Sequence, residues 1–453
     1  MEKVIFDYKY KKIHFIGVCG VSMSGLALHL NSLGFKVSGS DISNNLTLKR
    51  LKNKGILTFN KHSPSNLEGV DLVVYSSAID ENNPEIVEAK KQNIPLLKRS
   101  QLLGQILSTY KNSIAVSGCH GKTTTTAMIN LALEFNNLDP TVFIGGNYKK
   151  MGNYKKGSSS FAVVEACEFK KNFLDLSPKY AVVLNIDNDH LDCYKNMQEI
   201  KNTFSSFIDG AISIINIDDC YAKDILNFTT LTFGINNKAC FMAKKLKFNG
   251  RGYSFSVYAY STYLGRVKLK VLGKHNVYNA LATIALTETL KLPFLKTKLA
   301  LESFSGVERR NQFLGSLQGC DFYADYAHHP KEINSTLSAF NSLNKPYGVV
   351  FQPHTYSRTK YLMEEFILAL KGVKDLIIYK TFPAREKFDK EGCAKTLYHN
   401  LKESGKETVY YANDIKELKN ALIKLKEKYK IIVFLGAGDI YDIAKKLLKI
   451  KKL

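Results

Sequence analysis

The sequence predicts an α/β fold of three consecutive domains, each built around a mostly parallel sheet. Three observations lead to this prediction. Short apolar segments are followed repeatedly by a glycine-rich turn and a helical segment, which is the order of βαβ units. Most of these segments are continuously apolar, as in strands that are buried on both faces of a parallel sheet. The chain has 453 residues, enough for about three domains of ~150 residues.

The first domain is predicted over residues 1–106 as a Rossmann-like unit. A strand at 12–17 leads into a glycine-rich segment that ends at Gly25, and a helix and strands at 36–39 and 70–75 follow. A half-fold of this kind places a phosphorylated ligand over the first loop. It reads a ribose or base at the end of the second strand, where Asp41 lies.

A phosphate-binding loop is predicted in the second domain, which we place at residues 107–310. Backbone N–H groups at a helix start, the Lys122 ammonium and the Thr123 hydroxyl can converge there on a polyphosphate. The spacing is two residues shorter than the common Gly-x4-Gly-Lys-[Ser/Thr] loop, so the preceding strand and following helix carry the prediction. The predicted ATP-binding loop residues are Gly118, Cys119, His120, Gly121, Lys122, Thr123 and Thr124.

Two polar side chains follow the next strands of this domain. Glu165 ends the apolar segment Val163-Val164, and His190 follows the segment 180–186. Ligand sites of α/β sheets lie at the carboxyl ends of strands. Glu165 and His190 could therefore complete a Mg²⁺ site with Thr123, although each, taken alone, is also typical of a polar residue that ends a strand.

The rest of the chain is predicted to finish the second domain and to form a third. Residues of about 212–272 carry short alternating segments, which indicate a small antiparallel patch on the second domain. The third domain, 311–453, is predicted as another Rossmann-like unit. Its five strands lie near 322–325, 348–351, 375–379, 408–410 and 431–435.

Composition narrows the choice of partners. The net charge is +23, yet only eight of the 64 Lys and Arg residues are Arg, the residue preferred for reading bases and phosphates. The sequence also lacks the interleaved basic and aromatic residues typical of nucleic-acid surfaces. We expect no nucleic-acid partner. The longest apolar runs have strand length and the eight Cys lack zinc spacing, which favours a cytoplasmic protein with no membrane insertion.

A series of motifs runs along nearly the whole chain. In chain order, the motifs are Ile13-His-Phe-Ile-Gly17, Met23-Ser-Gly25, Ser40-Asp41, Ser76-Ser-Ala-Ile79, Asn83-Pro-Glu-Ile86, His120-Gly-Lys-Thr-Thr-Thr-Thr126, Val164-Glu-Ala166, Asn185…Asp189-His190, Gly273-Lys-His-Asn276-x-x-Asn279-Ala280, Arg309-Arg310…Phe313-Leu-Gly315, Asp325-Tyr-Ala-His328-His-Pro330 and Phe351-Gln-Pro-His354-x-Tyr-x-Arg358-Thr359. Together, these motifs resemble the Mur ligase family, the ATP-dependent amide-forming enzymes of peptidoglycan precursor synthesis. The last two motifs favour the branch that adds L-alanine.

The resemblance implies a bacterial enzyme that joins L-alanine to the lactyl carboxylate of UDP-N-acetylmuramate. The γ-phosphate of ATP would convert the carboxylate to an acyl phosphate, and the alanine amine would displace phosphate through a tetrahedral intermediate. The implied cofactors are ATP and two Mg²⁺ ions, with Mn²⁺ able to substitute. We expect a monomer or weak homodimer.

The resemblance also assigns roles to residues. Lys122, Glu165 and His190 are implied at the phosphoryl-transfer site, where cations must offset converging anions. Asn276 and Asn279 would read adenine, Arg310 a phosphate and Asp325 the ribose. The acyl-acceptor site would be formed by His328, His354 and Arg358. The implied UDP-sugar contacts are Gly17, Gly20, Ser22, Ser24, Asp41, Ser76 and Ser77.

Several positions depart from the family pattern. Cys19 and Ser22 stand where glycine is common in the first loop. The remaining departures are Cys119, Cys167 and Thr355. Cys19 also resembles a sibling that attaches a preformed murein peptide to the same nucleotide sugar, and this sibling is the alternative reading. A nicotinamide-dependent oxidoreductase, a nucleic-acid ATPase and a folylpolyglutamate-synthase-like ligase explain fewer of the motifs.

Overall fold

The computed structural model describes residues 10–43, 45–148, 151–187, 193–384 and 386–449. The chain divides into two compact units. One comprises Met1–Leu246, Phe255–Val267 and Tyr278–Phe304, and the other Lys247–Ser254, Lys268–Val277 and Ser305–Leu453. Among the described residues, no helix combines the length and the hydropathy that a membrane crossing requires.

The first sheet has five parallel strands in the order β3-β2-β1-β4-β5. Its strands are β1 Lys12–Ile16, β2 Lys36–Ser40, β3 Leu57–Phe59, β4 Leu72–Tyr75 and β5 Leu96–Lys98. Its helices are α1 Val21–Ser32, α2 Leu46–Asn53, α3 Pro84–Lys91 and α4 Arg99–Ser108, with a 3₁₀ turn at Pro64–Leu67. The carboxyl ends of β1, β2 and β4 therefore lie at one edge, as the predicted nucleotide-sugar site requires.

The second sheet has ten strands in the order β15-β14-β13-β12-β11-β10-β6-β9-β7-β8. Its strands are β6 Asn112–Ser117, β7 Thr141–Tyr148, β8 Gly152–Lys155, β9 Phe161–Glu165, β10 Tyr180–Val183, β11 Ile212–Asn216, β12 Thr230–Gly234, β13 Phe241–Phe248, β14 Tyr253–Ala259 and β15 Thr262–Lys268. The accompanying helices are α5 Lys122–Phe135, α6 Met197–Ile208, α7 His275–Thr289 and α8 Phe294–Ser303, with 3₁₀ segments at Phe169–Asp175 and Ala222–Ile225.

The pairing of this sheet narrows the predicted antiparallel patch to its last three strands. The patch was expected over about 212–272, but β11 and β12 pair in parallel, and so do β12 and β13. The chain between β11 and β12 includes the 3₁₀ segment Ala222–Ile225 and crosses back to the starting edge, as a parallel pair requires. The neighbouring strands β13, β14 and β15 are joined only by residues 249–252 and 260–261, which are short hairpin connections. The antiparallel patch is therefore confirmed for β13–β15, and antiparallel pairing also occurs between β7 and β8.

The third sheet has six strands in the order β16-β17-β21-β18-β19-β20. Only the β16–β17 pair is antiparallel. The strands are β16 Gln312–Leu317, β17 Cys320–Asp325, β18 Gly348–Phe351, β19 Leu376–Tyr379, β20 Val409–Ala412 and β21 Ile431–Leu435. The helices are α9 Pro330–Asn341, α10 Tyr356–Tyr361, α11 Met363–Lys371, α12 Ala394–Glu403, α13 Ile415–Lys428 and α14 Ile440–Lys449.

The central strands of the three sheets are largely buried on both faces, as their continuous apolar sequences predict. Every residue of β10, β18, β19 and β21 is buried. Each Å² of apolar surface removed from water contributes ~25 cal/mol, so such strands are the main stabilising elements. They hold the polar residues that follow them at the strand ends. The predicted α/β class is confirmed.

Candidate active site

The phosphate loop lies between β6 and the first turn of α5. Gly118 and Gly121 adopt positive φ angles of 130° and 87°, a region that residues with a Cβ atom rarely occupy. Space also requires glycine at 121, since a Cβ atom there would stand 2.8 Å from Oδ1 of Asn279. The predicted adenine-reading Asn279 is thus placed directly beside the phosphate loop.

Lys122 forms a buried ion pair with Glu168, a residue that the sequence analysis did not identify. Its Nζ atom lies 3.0 and 2.9 Å from the two carboxylate oxygens and donates to the Gly118 carbonyl at 2.5 Å. Burial alone would lower the pKa of Lys122, but the adjacent Glu168 carboxylate, with Cys167 and Cys119 nearby, raises it. Lys122 therefore carries a positive charge at the start of α5, where phosphate would bind.

Cys167, one of the departures from the family pattern, is a neutral thiol next to this ion pair. Burial raises the pKa of Cys167, and the neighbouring Glu168 charge raises it further, against the opposing effect of Lys122. The negative charge beside the phosphate loop is therefore carried by the adjacent Glu168, which is 2% exposed.

Thr123 and Glu165 come together as predicted for a Mg²⁺ site. The Thr123 hydroxyl donates to Oε2 of Glu165 at 3.1 Å, and the Gly145 backbone N–H donates to Oε1 at 2.5 Å. A hydroxyl and a carboxylate are oxygen donors of the kind that Mg²⁺ prefers, so this pair fits the ion. The third predicted ligand, His190, lies outside the described residues. Within the described part of the chain, no three His, Cys, Asp or Glu residues cluster at metal-binding distance.

Asn185 and Asp187, after β10, fix the other side of the phosphate loop. The Asn185 side chain accepts from the His120 backbone N–H at 2.8 Å and donates to the His120 carbonyl at 3.0 Å. The Asp187 carboxylate lies 3.3 Å from Nε2 of His120. The Cys119 thiol accepts from the Asp187 backbone N–H at 3.2 Å. Cys119 therefore packs against the strand end and contributes to loop shape.

Asp41 organises the first glycine-rich loop from within. One carboxylate oxygen accepts from the Cys19 backbone N–H at 2.9 Å and the other from the Ser43 N–H at 2.9 Å. Asp41 is only 7% exposed, so its contacts are typical of a residue that shapes a loop. Burial, reinforced by Asp41, raises the pKa of Cys19 to about 12 and keeps this thiol neutral.

The other predicted UDP-sugar residues lie around the first glycine-rich loop. Gly17, whose φ is 79°, lies beside Ser76: a Cβ atom added to Gly17 would be 3.8 Å from the Ser76 hydroxyl. Gly20 is exposed and Ser22 half-buried, whereas Ser24 is buried in α1. Arg99 donates to the Ser22 hydroxyl at 3.1 Å, Asn153 donates to the Ser24 hydroxyl at 3.0 Å, and Lys170 donates to the Ser77 carbonyl at 3.1 Å.

Asp325 and Asn276, in the second compact unit, are occupied by local hydrogen bonds. Asp325 accepts from the Asn311 and Ala327 backbone N–H groups at 2.7 and 2.9 Å. Burial raises the pKa of Asp325, and the nearby Arg310 charge opposes this. The Asn276 amide donates to the Leu272 carbonyl at 2.7 Å. The Arg310 guanidinium stacks 5.1 Å from the Tyr326 ring centroid.

His328, His354 and Arg358 are brought together as predicted. The two imidazole rings meet edge to face with centroids 5.7 Å apart, and Nη1 of Arg358 lies 3.3 Å from Nδ1 of His354. The His354 ring also stacks on Phe382 at 5.5 Å. Burial, together with His328, Arg358 and Arg309, lowers the pKa of His354 to about 3. A neutral imidazole thus accepts from a charged guanidinium.

The backbone of Thr355, which directly follows His354, adopts a strained conformation. Its φ angle is 69°, which is unfavourable for a β-branched residue and is characteristic of functional sites. The turn is stabilised by Glu386, another residue missed by sequence reasoning. Its carboxylate accepts from the Tyr356 and Ser357 backbone N–H groups at 2.6 and 2.9 Å. Glu386 thereby fixes the start of α10, on which Arg358 lies.

Comparison with known proteins places these motifs in one family. The family profiles described as Mur ligase family catalytic domain, Mur ligase middle domain and Mur ligase glutamate ligase domain match residues 12–111, 116–287 and 309–438. A relative from Acetivibrio thermocellus, named UDP-N-acetylmuramate–L-alanine ligase, is 42% identical over 98% of this chain and 97% of that protein. The chain belongs to the Mur ligase family.

Other Mur ligases agree with this assignment. An Aquifex aeolicus relative of the same name is 40% identical over 97% of this chain and 98% of its own. The crystal structure of UDP-N-acetylmuramate–alanine ligase from Thermotoga maritima has a TM-score of 0.82 at 31% identity and covers 97% of this chain and 98% of that one. A murein peptide ligase from Psychrobacter arcticus, with a TM-score of 0.73 and 21% identity over 97% of this chain and 98% of that chain, shares the fold. The predicted family is therefore confirmed.

Proposed function

We propose that this Mur ligase joins L-alanine to the lactyl carboxylate of UDP-N-acetylmuramate and converts ATP to ADP and phosphate. The observation that carries the proposal is the similarity, at about 40% identity over almost the whole chain, to relatives named for this reaction. Each compact unit supports it separately: the phosphate loop suits phosphoryl transfer to a carboxylate, and the guanidinium–imidazole cluster suits an amino-acid acceptor. Attachment of a preformed peptide is the less favoured alternative.

The phosphate loop would bind the ATP phosphates. The backbone N–H groups around Gly121 and the first turn of α5 face the polyphosphate, and Lys122 neutralises charge as the γ-phosphoryl group moves to the muramate carboxylate. Thr123 and Glu165 would hold a Mg²⁺ ion, with His190 proposed to hold a second. Mg²⁺ would supply positive charge to the phosphoryl oxygens. Asn276, Asn279, Arg310 and Asp325 are proposed to hold or shape the remainder of the ATP site.

The His354 cluster would receive the amino acid. Arg358 can hold the L-alanine carboxylate through two parallel hydrogen bonds. Neutral His354, which accepts from Arg358 at 3.3 Å, limits the rotamers of the guanidinium. His328 lies beside them, and its Nδ1 is 2.9 Å from the Tyr326 carbonyl.

The first sheet would bind the nucleotide sugar. The UDP phosphates are proposed to lie over Gly17–Ser22 with Ser76 and Ser77 beside them, while Asp41 and Ser24 shape the loop. We further propose that the enzyme acts in the bacterial cytoplasm in peptidoglycan synthesis, as a monomer or weak homodimer. Within the described part of the chain the cysteines are present as thiols and not as disulfides, which suits a reducing compartment.

One assay tests the proposed reaction. ADP release is measured from ATP, Mg²⁺ and UDP-N-acetylmuramate, with L-alanine, glycine, L-serine or the tripeptide L-Ala-γ-D-Glu-diamino acid as acceptor. We expect L-alanine to support the highest kcat/KM. Turnover with the tripeptide alone would instead identify the peptide-attaching sibling. NADH is a control ligand, and saturable binding of it would favour the oxidoreductase alternative.

A further inference from the structure

One hairpin contacts both the phosphoryl-transfer site and the nucleotide-sugar loop. This bridging hairpin consists of β7, Thr141–Tyr148, and β8, Gly152–Lys155. On β7, the Gly145 backbone N–H donates to Glu165, the proposed Mg²⁺ ligand. On β8, Asn153 hydrogen-bonds to α1, which begins directly after Gly20. The two sites thus share one short structural element.

Asn153 makes the contacts to the nucleotide-sugar loop. Its amide nitrogen donates to the Val21 carbonyl and, at 3.0 Å, to the Ser24 hydroxyl. Its amide oxygen accepts from Nη1 of Arg50 at 2.8 Å. Asn153 is only 5% exposed, so these bonds replace water and an unsatisfied amide here would be costly. The start of α1 is therefore fixed to β8 rather than to solvent.

Glycines allow the hairpin to approach both sites closely. A Cβ atom on Gly145 would stand 2.7 Å from Oε2 of Glu165, and one on Gly152, where φ is 70°, would stand 2.7 Å from Nη1 of Arg50. Gly25 of α1 faces the hairpin, with Asn153 Nδ2 at 3.4 Å from the position of its missing Cβ. The hairpin backbone therefore contacts the Glu165 and Arg50 side chains directly, without an intervening methyl group.

Aromatic packing makes the link rigid. His29 of α1 lies between Phe143 of β7 and Tyr154 of β8, with ring centroids 5.3 and 5.7 Å away, and Phe143 and Tyr154 are 5.2 Å apart. Nδ1 of His29 is also 3.0 Å from the Tyr154 hydroxyl. Densely packed rings of this kind transmit a displacement rather than absorb it.

We propose that Asn153 is a positioning residue that couples nucleotide-sugar binding to the phosphoryl-transfer site through the bridging hairpin. This inference rests on the proposed function. A nucleotide sugar that orders the loop before α1 orders the Asn153 contacts, and the hairpin then holds Glu165 in its Mg²⁺-binding position. By linkage, the sugar nucleotide tightens Mg²⁺–nucleotide binding, and the Mg²⁺–nucleotide tightens sugar-nucleotide binding by the same factor.

The test is a calorimetric measurement of this factor on the full chain. The Kd of a non-hydrolysable ATP analogue with Mg²⁺ is measured with and without saturating UDP-N-acetylmuramate, and the ratio of the two values is the coupling factor. We expect a factor of about tenfold for the parent chain, within the ordinary range for coupled sites. Asn153→Ala should reduce it to below about twofold while the Kd without sugar nucleotide changes little. Arg50→Gln should cause an intermediate loss.

A matched control lies on the same hairpin. Lys155 forms ion pairs with Glu134 and Asp139, each at 2.7 Å, and Lys155→Ala should keep the coupling factor of the parent chain. Equal losses in both variants would mean that the hairpin is merely destabilised and would overturn the role of Asn153. A parent factor of one, or a parent-like factor in Asn153→Ala, would also overturn it. Failure of UDP-N-acetylmuramate to bind the parent chain would instead refute the proposed function, and with it this inference.

Discussion

Replacing Glu168 by Gln should destabilise the empty protein and tighten ATP binding. The Lys122–Glu168 pair is separated by 2.9 Å and both side chains are largely buried, with 16% and 3% of their surfaces exposed. At an effective dielectric constant of ~20, the attraction at this distance is about 6 kcal/mol before desolvation is subtracted. Removing one partner of a buried pair costs about 3–5 kcal/mol, and Gln keeps one acceptor. We therefore expect a loss of about 2–4 kcal/mol.

ATP should restore most of this loss. Its phosphates supply negative charge to Lys122, so the variant gains a counter-ion on binding that the parent chain already has. If about 2 kcal/mol is recovered, the Kd for ATP falls about 30-fold. The assays are urea-induced unfolding with and without Mg²⁺–ATP and calorimetric titration of a non-hydrolysable analogue.

A carboxylate on α5 provides the control. Glu134 pairs with Lys155 at 2.7 Å, but its side chain is 36% exposed, so Glu134→Gln should cost less than about 1 kcal/mol and leave ATP affinity unchanged. The reasoning is refuted if Glu168→Gln binds ATP more weakly than the parent chain. Glu168 would then be part of the phosphate site rather than a competitor for Lys122.

Three further predictions follow from other contacts. Gly145→Ala should displace Glu165, because the new methyl group would stand 2.7 Å from Oε2; kcat should fall at least tenfold and the Mg²⁺ requirement should rise, whereas unchanged Mg²⁺ dependence would contradict this. Burial, together with the Lys156 charge, lowers the pKa of His29 to about 4. Because the unfolded chain binds this proton at a higher pH than the folded chain, the free energy of unfolding falls as the pH drops below ~6.5. By linkage the loss is about 2 kcal/mol between pH 7.5 and 5 in urea titrations, and it should vanish in His29→Phe. Arg358→Ala should raise the KM for L-alanine far more than that for ATP in steady-state kinetics; equal effects would remove Arg358 from the acceptor site.

The sequence predicts the phosphate loop well because its determinants are local. Gly118, Gly121, Lys122 and Thr123 lie within six residues, and the flanking strand and helix are strongly apolar. Glu165 could be placed because it ends a strand parallel to β6. The His328, His354 and Arg358 cluster was also predicted, since these residues follow β17 and β18 at one sheet edge. The catalytic roles of these residues, the metal-binding role of His190 and the domain borders at 106 and 310 stay predictions.

Other features depend on contacts between distant residues. Glu168 meets Lys122 across 46 residues of chain, and no spacing rule joins them. Asp41 and Asp325 look like ligand readers in sequence, but the backbone turns around them supply donors to both carboxylates. Asn153 stands out only when the hairpin is seen against α1. A signal for Glu168 and Glu386 would be a carboxylate next to a predicted loop that needs a counter-charge or a helix cap.

The central claim, activation of a sugar-nucleotide carboxylate as an acyl phosphate, can be tested directly by isotope transfer. UDP-N-acetylmuramate labelled with ¹⁸O in its lactyl carboxylate is incubated with ATP, Mg²⁺ and L-alanine, and the inorganic phosphate is analysed by mass spectrometry. Because the carboxylate oxygen attacks the γ-phosphorus and later leaves with phosphate, we expect one ¹⁸O atom in each phosphate released. Phosphate that contains no ¹⁸O, formed together with UDP-N-acetylmuramoyl-L-alanine, would contradict this account.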